Sequence, residues 1–95
     1  MATKVWFEQG CVFTPIPIVA EGFRRVVKLA KQLECNVNVT SGREGDHMVD
    51  SLHYLDRAWD MQTNKFTLLK LKEVLGAGWD VVKYDWGFHC EYDPK

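Results

Sequence analysis

The sequence predicts an α+β domain: a small, mostly antiparallel sheet with two helices packed on one side. Three observations predict it. Hydrophobic periodicity switches between two and about 3.6 residues in the order β, α, β, β, α, β, β. Breakers stand at the joints, with Pro15 and Pro17 before the first helix, Gly42 and Gly45 after the second strand, and Gly76 after the second helix. The last two strand patterns are separated only by Asp85-Trp86-Gly87, a hairpin connection that makes them antiparallel neighbours.

Residues 4–7 are a short β-rich segment, and residues 12–18 are extended because each proline disfavours helix at the residue before it. Over residues 19–33, Phe23, Val26, Val27, Ala30 and Leu33 recur at three- and four-residue spacing. Arg24, Arg25, Lys28 and Lys31 occupy the other faces, so this is an amphipathic helix whose basic face is solvated. Residues 36–40 alternate polar and apolar with β-branched side chains, which predicts a strand buried on one face. Residues 41–46 break that pattern and form a loop carrying Arg43, with His47 just beyond it. Residues 57–61 are the next strand and residues 62–64 a turn. Phe66, Leu68, Leu69, Leu71, Val74 and Leu75 define the second helix. Residues 78–84 and 88–92 complete the hairpin, with Phe88, Cys90 and Tyr92 on the core side.

The 95 residues make a single domain, residues 1–95, whose small size limits the surface it can bury and makes a bound metal useful to its stability. A hydrophobic fraction of 46% with four Trp supports a true core and argues against disorder. The net charge of -1 gives no footprint for nucleic acid or an anionic membrane surface. Cys11, Cys35 and Cys90 are odd in number and contain no CxxC pair, which fits reduced thiols in the cytosol better than a disulfide framework. No basic start followed by an apolar run, and no run of membrane-spanning length, is present, so a cytoplasmic product is expected.

The candidate chemistry lies in His53, Asp60 and His89. Two imidazoles and one carboxylate form a donor set suited to zinc, and three protein ligands leave a fourth position for water or substrate. Strand alternation puts Ala58 and Asp60 on one face and Trp59 on the other, with Ala58 leaving the approach to Asp60 open. His53, seven residues earlier, arrives from the preceding loop. His89 shares a face with Gly87 and Glu91, and Glu91 is placed to support it from behind. Asp85 reads either as a turn residue or as a general base. Arg43 is either solvent-exposed or a binder of substrate carboxylate, and His47 either packs in the loop or polarises the substrate. Trp86 is either a stacking platform or a hairpin cap.

At these residues the chain resembles the zinc D-alanyl-D-alanine carboxypeptidases and phage endolysin peptidases of the Hedgehog/DD-peptidase fold. Ser51, His53, Ala58 and Asp60 match that family's Ser-x-His-x-x-Gly-x-Ala-x-Asp segment, and His89 followed by Glu91-Tyr92-Asp93-Pro94 matches its late segment. Val39-Thr40-Ser41-Gly42 and Asp46-His47-Met48 look like its strand end and approach loop, so the likeness runs from about Asn36 onward. It implies zinc held by His53, Asp60 and His89, with Arg43, His47, Ser51 and Trp86 around the substrate. The implied reaction is hydrolysis of D-alanine-containing peptidoglycan stem peptides by a phage-type protein, with Asp85 as the base. Cell-wall access then requires a separate export or lysis system. The chain departs from the pattern at three positions. Asp56 replaces the motif glycine, Trp86 stands where an acidic base usually precedes the last ligand by three residues, and Gly87 stands where phage relatives often carry a second His. Those departures motivate an alternative: an inactive relative that binds or sequesters a small molecule, such as an anti-defence protein. A protein-protein inhibitor anchored by exposed aromatics is a further alternative. Nucleic acid and membrane are excluded as partners on either of the first two readings, and the oligomeric state is left open.

Overall fold

The computed structural model describes residues 3–42 and 56–94. Within them the order is β1 (Val5–Phe7), α1 (Pro17–Leu33), β2 (Val37–Ser41), β3 (Ala58–Gln62), α2 (Leu68–Leu75), β4 (Trp79–Tyr84) and β5 (Gly87–Tyr92). The five strands form one sheet in the order β1-β2-β3-β5-β4. Every adjacent pair is antiparallel except β1 and β2, which run parallel because α1 carries the chain from one to the other. The predicted α+β class and mostly antiparallel sheet are thus what the chain forms.

Element boundaries move by a residue or two for identifiable reasons. The first helix starts at Pro17 rather than residue 19, since proline's missing N–H costs nothing at the first helical position, while Ile16 before it stays extended (φ -63, ψ 157). The second helix starts at Leu68, because the Thr67 hydroxyl accepts the Lys70 N–H at 3.1 Å and so caps it. Gln62, expected in a turn, is the last residue of β3 and pairs with Asn38. Gly87, expected in the hairpin loop, opens β5, so the turn itself is Asp85-Trp86.

Both helices cover the same sheet face. Val19, Val26, Leu29 and Ala30 of α1 and Leu71 and Leu75 of α2 are buried in one cluster with Val37, Val39, Trp59, Met61, Val81, Phe88 and Cys90 from the sheet. At its centre Trp59 is fully buried, with ring centroids 5.4 Å from Phe23, 5.5 Å from Trp79 and 5.9 Å from Phe13. Alternation therefore turns Asp60, His89 and Glu91 to the opposite face.

The three cysteines are free thiols. Cys35 and Cys90 are buried, and burial, reinforced by the nearby Asp60 charge, pushes the Cys90 thiol far above its ordinary range. Among the described residues no helix is long and apolar enough to cross a membrane.

Candidate metal centre

Asp60 on β3 and His89 on β5 face each other directly across an antiparallel rung, the closest cross-strand relation a sheet offers. His89 Nδ1 lies 2.7 Å from Asp60 Oδ1, and its Nε2 lies 2.7 Å from Glu91 Oε1. The three side chains are largely shielded, with 15–24% of each exposed.

This geometry constrains the charge on the ring. Neutral imidazole carries one N–H and one lone pair, so it can donate to only one of two flanking carboxylates. The other contact sets a nitrogen lone pair against a carboxylate oxygen. Both contacts become favourable when the imidazole is doubly protonated, when a cation sits at one nitrogen, or when one carboxyl keeps its own proton and donates to the ring. Two donors bound tetrahedrally to one zinc at ordinary bond lengths lie about 3.3 Å apart. The Nδ1–Oδ1 pair is already within a small side-chain shift of that edge. These two donors are compatible with zinc: Asp60 and His89 Nδ1 would supply oxygen and nitrogen, while Glu91 would accept the proton on Nε2 and fix the tautomer, as carboxylates behind metal-bound histidines do.

Without metal, the same constellation favours imidazolium. Burial, the largest single influence, would lower the His89 pKa, but the hydrogen bonds to Asp60 and Glu91 and the charges of both carboxylates together raise it above its ordinary 6.5. Asp80 on β4, opposite Glu91, adds a further carboxylate to this face. A group whose folded pKa is raised contributes stability fully below its unfolded pKa, and that contribution is lost as pH rises through the folded value. Chelator-treated protein is therefore expected to melt at a lower temperature as pH rises from about 6 to about 8, the imidazole range. His89→Gln should flatten that slope; an equally steep dependence in the variant would place its origin elsewhere.

Asp56, standing at the motif glycine, adopts the left-handed conformation with φ 58 that a glycine there would supply. Its carboxylate accepts the Thr14 hydroxyl at 3.1 Å, and its carbonyl accepts the Ile16 N–H at 3.2 Å, tying this turn to the approach to α1. Gly87 is equally explained. A Cβ there would run into the Met61 carbonyl oxygen of β3, so the sheet leaves no space for a side chain at this position.

Asp85 and Trp86 form the exposed tip of the β4–β5 hairpin. Trp86 stacks on Tyr84 with centroids 5.0 Å apart and planes 9° apart, so the indole is held in place yet open to solvent. Tyr84 lies opposite Gly87 and Val82 opposite His89, which puts Tyr84 on the His89 face. Asp85 is three residues beyond Val82 along the chain, roughly 10 Å at the rise of a strand. His53, Arg43, His47 and Ser51 lie outside the described residues. One feature not read from the sequence is that Asp80, Glu91 and Asp93 bring carboxylate oxygens within 4.8 Å of one another. The Asp80–Glu91 rung is readable once the hairpin register is fixed. Oxygen donors alone suit hard cations, and this partly exposed group serves mainly to make the face more negative.

Compared with models of known protein families and with curated proteins, the chain finds no match.

Proposed function

We propose that Asp60 and His89, with His53 as third ligand, hold zinc in a peptidase-like domain of the Hedgehog/DD-peptidase type that acts on D-alanine-containing peptidoglycan stem peptides. One observation carries this reading: the carboxylate–histidine–carboxylate line Asp60–His89–Glu91, with both contacts at 2.7 Å. Bound there, zinc supplies a Lewis acid and a water of lowered pKa. With the metal in place, Glu91 would hold the Nε2 proton and leave the Nδ1 lone pair for the cation shared with Asp60. Ala58, on the same face as Asp60, is itself buried. The Tyr84–Trp86 stack offers an aromatic surface two rungs away on the same face, and the resemblance assigns Arg43, His47 and Ser51 to the substrate.

The hairpin tip favours a second reading. A general base works within about 2.6–3.2 Å of the proton it takes, or through one water. Asp85 stands well beyond that reach of the His89 rung by strand geometry. A domain that retains the metal and captures a small ligand on Trp86 without turning it over fits this placement.

Elemental analysis of the purified protein, alongside assay of D-alanine release from a stem peptide ending in D-Ala-D-Ala, separates these outcomes. Near-stoichiometric zinc with release that disappears in His53→Ala supports the peptidase, while zinc without release supports the binder. Absence of zinc after incubation with the metal overturns both.

A further inference from the structure

On the same sheet face as Asp60, towards the β1 edge, Trp6, Asn38 and Gln62 form one row across three strands: Trp6 pairs with Asn38, and Asn38 with Gln62. Together with Asn36, Thr63 and Asn64 they line an open cavity of about 340 Å³. We infer that this cavity is a binding site for a neutral saccharide of two or three pyranose rings, independent of the metal.

The chemistry of the lining selects the class. Trp6 is 44% exposed, an indole face kept in water by a strand whose pairing holds it in place. Such a face suits the C–H surface of a pyranose, while hydroxyls around the ring rim require paired donors and acceptors. Four carboxamides and one hydroxyl supply these. Among the described residues the lining contains no Lys, Arg, Asp or Glu, so nothing in it compensates a phosphate or a carboxylate. The volume falls within the range of small-molecule sites, about 300–1,000 Å³.

The hydrogen bonding is incomplete in the same place. Asn36 accepts the Lys4 N–H through Oδ1 at 2.9 Å, which leaves its NH2 group as the donor on offer. Asn38 donates to Glu8 Oε1 at 2.8 Å and to Gln62 Oε1 at 3.5 Å, while its own Oδ1 is buried without a protein partner among the described residues. Oδ1 is covered, so a ligand hydroxyl reaches it only as Gln62 shifts. The 3.5 Å contact to Gln62 is the weakest of these bonds, long enough to yield. A buried carbonyl seeking a donor beneath a row of carboxamides is what an incoming hydroxyl satisfies.

Titration of chelator-treated protein with N-acetylchitotriose and with cellotriose, followed by NMR of side-chain NH2 and indole N–H groups, tests this. Saturable shifts at Trp6, Asn36, Gln62 and Asn64 with a Kd of about 1 mM are expected for at least one trisaccharide. Trp6→Ala should weaken binding about tenfold or more, and Asn64→Ala, at an exposed turn position, measurably. If Trp6→Ala does not fold, Asn64→Ala decides. Unchanged affinity in the folded variants, no saturable shift with either sugar, or shifts produced only by adenosine or uridine would overturn the assignment, the last in favour of a nucleobase.

Discussion

Trp59→Ala is expected to destabilise the domain by about 3–5 kcal/mol, the usual cost of deleting a buried indole. For 95 residues total stability is of order 5–14 kcal/mol, so this single change removes a large part of it. Its neighbours are rings from the approach to α1, from α1 itself and from β4, namely Phe13, Phe23 and Trp79. Helices that meet the sheet through these rings cannot collapse into the vacated volume without giving up other contacts, which puts the site at the costly end of the range. Trp59→Phe should behave very differently. The indole Nε1 is buried with no partner among the described residues, so phenylalanine removes an unsatisfied donor while keeping most of the aromatic volume. Urea denaturation checks both: the midpoint should fall sharply for Ala and little for Phe, with similar slopes. Equal losses would mean that the N–H, not the ring volume, is what the core depends on.

That contrast explains why the fold is legible in the sequence and the site only partly so. Core positions obey alternation and helical spacing, and Phe88, Cys90, Trp59 and Met61 occupy the buried face that those periods assign. The same alternation turns Asp60, His89 and Glu91 to one face, so their convergence follows once β3 and β5 are neighbours. Sequence spacing does not give register, however. The two-residue turn at Asp85-Trp86 sets the register of β4 on β5, where the sequence pattern places Gly87 in the turn as well, but whether His89 stands opposite Asp60 depends on how β3 meets β5, strands joined only through α2 and β4. The parallel pairing of β1 with β2 is similarly hidden, because β1 has only three residues and no pattern to state its direction. Asp56 is legible for a local reason: aspartate tolerates the left-handed conformation, and φ 58 is what the turn requires.

If zinc is held as proposed, Glu91→Gln is expected to lower its affinity about 10–100-fold, while Asp60→Ala removes binding altogether. The glutamine side chain would retain the shape and an acceptor for the Nε2 proton, but not the negative charge that makes the opposite nitrogen a stronger donor. Loss of Asp60 is more severe because it deletes a ligand, and the ring nitrogen then faces alanine. The graded result distinguishes a metal centre from a plain ion pair. In an ion pair, Asp60 and Glu91 flank one imidazolium at equal distance, 2.7 Å, and removing either carboxylate should lower the His89 pKa comparably without affecting zinc. In a metal centre the two acids are unequal, one bonding the cation and the other only the proton on the far nitrogen. Zinc titration of both variants against a chromogenic chelator, with His89 followed by NMR in the metal-free protein, reads that asymmetry directly. Equal effects from the two substitutions would return His89 to a structural role at the seam of β3 and β5.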